Sequence, residues 1–99
     1  MEIEQTKDGN TLTLKLLGRL DTTTAPLLEE TMNNSLKDVE KLVLDFEKLE
    51  YVSSAGLRVL LNAQKTMNKQ GTMVLKNVCA DVNEVLEITG FSDILTIEK

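Results

Sequence analysis

Two short polar segments carry the side chains that could take part in chemistry. Ser53 and Ser54 stand just before Gly56, between an apolar run and a helical pattern, and Asp21 and Thr22 follow an earlier strand-like segment. A serine at the start of a helix caps free backbone amides, and the same hydroxyl can accept a phosphoryl group. The residues alone favour the cap, because serine is common at that position.

Catalysis by the chain itself is not predicted. The sequence has no histidine, the commonest general base and metal ligand. Asp21 is a poor base for Ser54, since an ordinary aspartate ionises near pH ~3.9. The single cysteine, Cys79, is interpreted as a small buried side chain rather than a reactive thiol. We therefore expect no enzyme activity, no catalytic residue, no metal site and no cofactor.

Composition narrows the class of partner. The 99 residues are 41% hydrophobic and 27% charged, which is typical of one globular domain. The net charge is −5 and no basic cluster stands out, so nucleic acid is not an expected partner. No apolar run approaches the ~18 residues of a membrane span, and the polar first residues do not resemble a signal peptide. We expect one cytoplasmic domain over residues 1–99, not inserted in a membrane.

Hydrophobic periodicity predicts strands that alternate with helices. Residues 11–17 alternate apolar and polar side chains after an Asp8-Gly9 turn signal, so the chain should open with a β-hairpin. The apolar run within residues 41–46 predicts a central strand buried on both faces. Gly71 is predicted to cap the end of the second helix, and Asp81 the start of the third. In chain order the predicted elements are strands 2–7 and 11–17, a helix within 22–37, a strand over 41–46, a loop over 47–52, a helix from 53 or 54 to before 71, a strand over 72–75, a helix from 81 to Gly90 and an edge strand over 94–97.

This element order predicts an α/β fold with right-handed crossovers. The sheet should be mixed and mostly parallel, with the hairpin strand antiparallel at one edge. Ligands and partners of such sheets meet the carboxyl ends of the strands. Asp21 and Ser54 follow neighbouring strands, so both should lie at that edge, where Asp21 either contacts a partner or only caps its own turn.

A phosphate on Ser54 would switch an interface without unfolding the domain. Free amides and the positive end of the helix dipole would tolerate the new charge. A partner packed over the site would have to desolvate a dianion, and Asp21 would add repulsion between like charges.

Three segments form a recognisable pattern: Gly18-Arg19-Leu20-Asp21 after the second strand, the apolar central strand over residues 42–46, and Ser54-Ala55-Gly56-Leu57. Together they make the sequence resemble a STAS domain of the anti-sigma factor antagonist family. The resemblance covers nearly the whole chain. It implies a single STAS domain over residues 1–99 with about five strands, and with three main helices largely on one face of the sheet.

The resemblance also implies a mechanism and a site. Such antagonists bind an anti-sigma factor that is also a serine kinase, and thereby free a sigma factor. The kinase then phosphorylates the antagonist, the complex dissociates, and a serine phosphatase restores binding. Ser54 takes the position of the phosphorylated serine. The implied partner-binding residues are Asp21, Thr22, Ser53, Ser54, Gly56 and Arg58.

Two positions depart from the family pattern. Ser53 stands where the family usually has aspartate, which makes Ser53 a second, less favoured candidate for phosphorylation. Arg58 replaces a small residue and places a cation in the first turn of the helix. It could pair with Asp21, with a carboxylate of the partner or with the phosphate itself, or it could simply be an exposed arginine.

An alternative function keeps the fold and drops the switch. STAS domains also serve as signalling scaffolds and as parts of membrane transport systems. In that case Ser54 is only a cap and partner binding is constitutive, an alternative that the missing aspartate before Ser54 favours. A chain of 99 residues would suggest a free-standing regulator rather than a transporter subunit.

Overall fold

The computed structural model describes residues 1–98, and within them the chain forms a five-stranded sheet and three α-helices. The elements follow the predicted order β-β-α-β-α-β-α-β. They are β1 (Glu2–Asp8), β2 (Thr11–Leu20), α1 (Ala25–Ser35), β3 (Lys41–Val52), α2 (Ser54–Asn68), β4 (Thr72–Lys76), α3 (Ala80–Ile88) and β5 (Ile97–Glu98). A short 3-10 turn, Phe91–Asp93, stands between α3 and β5.

The sheet is mixed and mostly parallel, as predicted. Its strands lie in the order β1-β2-β3-β4-β5. β1 runs antiparallel to β2 through a tight turn in which Gly9 has a φ of 62°, a value that glycine adopts without strain. The pairs β2–β3, β3–β4 and β4–β5 are all parallel. The predicted N-terminal hairpin is therefore confirmed.

The helices cover one face of the sheet. Every second residue of β2, from Leu12 to Leu16, is buried, whereas the residues between them are only half-buried. In β3, Val43 and Asp45 on the second face are half-buried as well. Fully buried helical residues complete this core, among them Leu28, Leu60 and Leu86. The prediction that residues 41–46 are buried on both faces is wrong, because no helix of the described chain covers the second face.

That uncovered face carries a row of charges of alternating sign. Cross-strand pairing places one ionisable residue of the row on each strand. From β1 to β5 the row is Glu4, Lys15, Asp45, Lys76 and Glu98. Opposite charges at facing positions stabilise this pairing register and keep the face polar.

β3 is longer than predicted. Residues 47–52, predicted as a loop, continue the strand, and their exposed Glu47 and Lys48 are strand residues. Beyond Asp45, β3 pairs only with β2, and the pairing passes two register shifts before it ends at Leu20 and Val52. Because the bulges interrupt the alternation of apolar and polar residues, the sequence of residues 47–52 does not show the pattern of a strand.

Three predicted element ends are also corrected. Gly71 is not a left-handed cap, because its φ is not positive; a Cβ there would overlap the backbone of Glu40, so glycine is needed for close approach. Asp81 lies inside the first turn of α3, whose N-cap is Cys79. Cys79 is exposed rather than buried. The predicted strand over 94–97 shrinks to Ile97–Glu98, because the 3-10 turn ends just before it.

Other predicted ends hold. Gly90 has a φ of 81° and ends α3, as a glycine in the left-handed region commonly does. α1 ends at Ser35, close to the predicted end. None of the helices within residues 1–98 is long and apolar enough to cross a bilayer.

Candidate functional site

The two polar segments meet where β2 and β3 end. Leu20 and Val52 are the last paired residues of these strands. Immediately beyond them, the backbone N–H of Ser53 donates to the carbonyl oxygen of Leu20 at 2.8 Å. The structure thus brings the Asp21 turn and the start of α2 together at the carboxyl edge of the sheet, as the sequence predicts.

Gly56 sets the distance between α2 and β2. A Cβ at this position would lie 2.6 Å from Cγ of Leu20 and 3.1 Å from its carbonyl oxygen. Both Gly56 and Leu20 are buried. Gly56 therefore positions the first turn of the helix, and it does so without offering a side chain to a partner.

The two serines have different roles in the helix start. Ser53 is the N-cap of α2, and its Oγ accepts a hydrogen bond from the Gly56 N–H at 3.3 Å. Ser54 is the first residue of the helix and is exposed. Its side chain makes no hydrogen bond to any other residue within 1–98. Ser53 therefore caps the helix, while the neighbouring Ser54 has the free hydroxyl.

Asp21 holds a compact turn. Its Oδ1 accepts hydrogen bonds from the Thr23 hydroxyl at 2.7 Å, the Thr23 N–H at 3.0 Å and the Thr24 N–H at 3.1 Å. These bonds lower the pKa of Asp21 below its ordinary value, and the bond from the Thr23 hydroxyl has the largest effect. Together they outweigh desolvation, which would raise the pKa. The carboxylate is therefore ionised and fixed beside the start of α2, while Thr22 is exposed on the same turn.

A cation and an aromatic ring also lie at this edge, and neither is predicted from the sequence. The Arg19 guanidinium lies 4.3 Å from the centre of the Tyr51 ring, and Arg19 Nε lies 3.9 Å from Asp21 Oδ2. Tyr51 is 39% exposed and the Arg19 side chain 59% exposed. Alternation along β2 could have placed Arg19 and Asp21 on one side. The stacking on Tyr51 depends on the bulged pairing of β2 with β3, which the sequence does not reveal.

Arg58 does not pair with Asp21 in the structure; the cation within 4.0 Å of that carboxylate is Arg19. Arg58 is exposed on the first turns of α2, four residues after Ser54. Within residues 1–98, no carboxylate oxygen lies within 4.0 Å of its guanidinium. The charge is thus left for solvent or for a group that the isolated chain does not contain.

Metal-ligand clusters and grooves are the other features that could hold an ion or a small molecule. No group of three or more His, Cys, Asp or Glu side chains that could hold a metal ion exists in the described part of the chain. A groove of 460 Å³ lies at the other end of β2, between the hairpin and the end of α1. Its lining residues include Gln5, Leu12 and Ser35, and none of them belongs to the predicted site.

Comparison with known proteins identifies the family. The sequence profile of the STAS domain family matches residues 2–99. The chain is a STAS domain. Among curated relatives, BtrV of Bordetella bronchiseptica is 35% identical over 99 residues, covering 98% of this chain and 85% of its own. The anti-sigma-B factor antagonist of Listeria monocytogenes is 30% identical over 101 residues, covering 100% of this STAS domain and 88% of its own chain.

Solved structures of the same family share the fold. The anti-sigma factor antagonist SpoIIAA in its unphosphorylated form has a TM-score of 0.78 at 17% identity, covering 99% of this chain and 88% of its own. Bacillus SpoIIAA in the phosphorylated form has a TM-score of 0.76 at 17% identity, covering 99% and 92%. The resemblance inferred from the sequence and the predicted STAS fold are therefore confirmed.

Proposed function

We propose that this STAS domain is an anti-sigma factor antagonist controlled by phosphorylation of Ser54. Unphosphorylated, it binds an anti-sigma factor that is also a serine kinase, and so releases a sigma factor; phosphorylation ends the binding. The observation that carries the proposal is the free, exposed hydroxyl of Ser54 at the first residue of α2, beside the fixed Asp21 turn. The names of the relatives supply the class of partner.

The division between the serines favours Ser54 over Ser53 as the acceptor. A kinase would have to break the cap bond from the Gly56 N–H to reach Ser53 Oγ, which is half-buried. The Ser54 hydroxyl needs no such rearrangement. The partner kinase supplies ATP and its magnesium ion. A bond forms between Ser54 Oγ and the γ-phosphorus, the bond from that phosphorus to ADP breaks, and the hydroxyl proton passes to a base of the kinase.

Phosphorylation at this position would leave the domain folded. A phosphate on the first helical residue lies near free backbone N–H groups and the positive end of the α2 dipole, worth about 0.3–1 kcal/mol. The SpoIIAA structures support this step, because the fold is found in a protein described in both unphosphorylated and phosphorylated forms. Hydrolysis by a separate serine phosphatase would return the hydroxyl and restore binding.

A docked partner would be expelled instead. It would have to desolvate a group that carries about −1.5 to −2 charges. The ionised Asp21 carboxylate lies on the same edge and would repel the phosphate as well. The chain itself needs no catalytic group for this function, so its role is binding and not turnover.

The proposed partner surface combines the predicted residues with the two that the structure adds. Asp21, Thr22, Ser54 and Arg58 provide exposed or half-buried polar groups on the edge. Arg19 and Tyr51 add the residue types that most often dominate binding energy at interfaces. Ser53 and Gly56 belong to the site by positioning the helix.

A paired pull-down from the native lysate tests the proposal. Tagged wild type is compared with Ser54→Asp, which adds charge at the site, and with Ser54→Ala, which removes only the acceptor. Asn62→Asp is the matched control, because it adds the same charge at an exposed position of α2 outside the first turn.

We expect wild type, Ser54→Ala and Asn62→Asp to retain an ATP-binding serine kinase, and Ser54→Asp to lose it. Mass spectrometry should locate phosphate on Ser54 of wild type. If Ser54→Asp retains the same partners and no serine is phosphorylated, the protein is a constitutive binding scaffold, a function that the aspartate-to-serine departure at Ser53 would fit.

A further inference from the structure

We propose that Arg58 closes on the phosphate of phosphorylated Ser54, so that the switch withdraws a cation from the partner as well as adding an anion. This inference rests on the proposed phosphorylation of Ser54. The proposed contact forms after the phosphoryl group has been transferred to Ser54. It gives a role to Arg58, whose charge is not paired within the described residues.

Reach follows from the helix. Ser54 and Arg58 are four residues apart in α2, which places them on one face, one turn apart, with Cβ atoms separated by ~5–6 Å. Helical side chains lean toward the N-terminus, so Ser54 is within the reach of a side chain as long as that of Arg58. Both residues are exposed, and no buried group has to move for the contact to form.

Arg58 is available because nothing in the described chain engages it. No carboxylate lies within 4.0 Å of its guanidinium among residues 1–98. α2 itself contains no Asp or Glu, so no partner stands at helical spacing. The nearby Asp21 has its Oδ1 bonded to the Thr23–Thr24 turn and its Oδ2 near Arg19.

Arg19 is the cation that the structure places beside Asp21, and it is already engaged. It stacks on Tyr51 and lies 3.9 Å from Asp21, so both contacts would be lost if it turned to a phosphate. Arg58 would lose nothing. A guanidinium binds phosphate oxygens through two parallel N–H donors, and such charge-assisted pairs are among the stronger hydrogen bonds in proteins.

The contact gives a function to a cation that the domain leaves unpaired. Arg58 lies in the second turn of α2, where no carboxylate of the helix balances its charge. Without phosphate, Arg58 faces the partner as a free positive charge. With phosphate, it is held on its own helix, and the surface that the partner meets changes from cationic to anionic.

The test places phosphoserine at position 54 of the full chain during synthesis, so that no kinase is needed. The second ionisation of the phosphate is followed by phosphorus NMR as the pH is raised, in the otherwise wild-type chain and in Arg58→Gln. Lys65→Gln is the matched control: it removes an exposed cation of the same helix far from Ser54. The helix dipole acts equally on all three.

A contact with Arg58 favours the dianion, so the pKa of the phosphoserine should be lower in the wild-type chain than in Arg58→Gln, by a few tenths of a unit or more. Lys65→Gln should match wild type. Equal pKa values in wild type and Arg58→Gln would overturn the contact, while the pull-down could still support the phosphoswitch. A pull-down that finds no switch would overturn the proposed function and leave a measured pKa difference intact.

Discussion

The backbone N–H of Ser53 donates to the carbonyl oxygen of Leu20 at 2.8 Å, which ties the first turn of α2 to the end of β2. Buried Gly56, the third residue of the helix, allows this approach by having no Cβ to meet Leu20. The hydroxyl of Ser54 is thereby held at a fixed place beside the Asp21 turn. Under the proposed function, rigid support of this kind would keep Ser54 in one geometry for both the partner and its kinase activity.

Gly56→Ala should destabilise the domain. The added Cβ would lie 2.6 Å from Cγ of the fully buried Leu20 and 3.1 Å from its carbonyl oxygen. Neither atom is the flexible end of a side chain, so we expect the upper half of the usual overpacking cost of about 1–3 kcal/mol, which exceeds the ~1 kcal/mol gained from the better helix propensity of alanine. The free energy of unfolding in urea measures the change. Asn62→Ala, at an exposed position of the same helix, controls for propensity and should not destabilise. Unchanged stability of Gly56→Ala would contradict the close approach.

Gly71→Ala should cost more than Gly56→Ala. Its Cβ would overlap backbone atoms of Glu40, which cannot move aside as a side chain can, and the Thr72 N–H to Glu40 carbonyl bond beside it would be strained. Thermal unfolding of the two variants, side by side, checks the order. Lys69→Ala, an exposed change at the same helix end, serves as control. A smaller loss for Gly71→Ala than for Gly56→Ala would refute this account.

Asp21 should stabilise the fold in a pH-dependent way. Hydrogen bonds from Thr23 and Thr24 lower its folded pKa below the ordinary 3.8. A depressed folded pKa gives a stabilisation that is present above the unfolded pKa and is lost as the pH falls through the folded value. Unfolding free energies measured from neutral pH down to acid should therefore fall less steeply below pH 3.8 in Asp21→Asn than in wild type.

Glu84→Gln is the control for that series, since it removes an exposed carboxylate outside the Asp21 turn. It should leave the acid limb of the stability curve unchanged. If the free energy of unfolding falls equally with decreasing pH in wild type and in Asp21→Asn, the hydrogen bonds from Thr23 and Thr24 do not favour the ionised carboxylate.

Arg19→Ala should weaken partner binding without unfolding the domain. Arg19 is exposed, and its contacts with Tyr51 and Asp21 are surface contacts that contribute little to stability. An arginine that acts as an interface hot spot costs about 2 kcal/mol or more when it is truncated, so we expect at least about a tenfold loss of affinity. Titration calorimetry with the partner isolated in the pull-down measures it. Lys48→Ala, an exposed cation on β3, should bind as wild type does; equal losses in both would leave Arg19 with no special role.

The sequence predicts which two segments form this site but not all of their side-chain contacts. The order of strands and helices is enough to place Asp21 and Ser54 at one edge, because the carboxyl ends of neighbouring parallel strands lie at the same edge of a sheet. The extension of β3 through Tyr51 could not be predicted from the sequence, because this part of the strand pairs only with β2 and the pairing contains bulges. The stacking of Arg19 on Tyr51 could not be predicted either, because it depends on the same bulged pairing. The need for glycine at position 71 lies in its approach to the backbone of Glu40, a contact distant in sequence.

The row of alternating charges on the uncovered sheet face has a consequence for crowding. Partial burial alone would raise the pKa of Asp45, but bonds from Asn77 and the Glu47 N–H, with Lys15 and Lys76 on either side, hold it below its ordinary value and keep it charged. Stacking a second sheet on this face would strip water from the whole row at once, at several kcal/mol per ion. We therefore expect that copies of the domain do not associate through this face even at high concentration. The opposite face of the sheet is packed against the helices and forms the core.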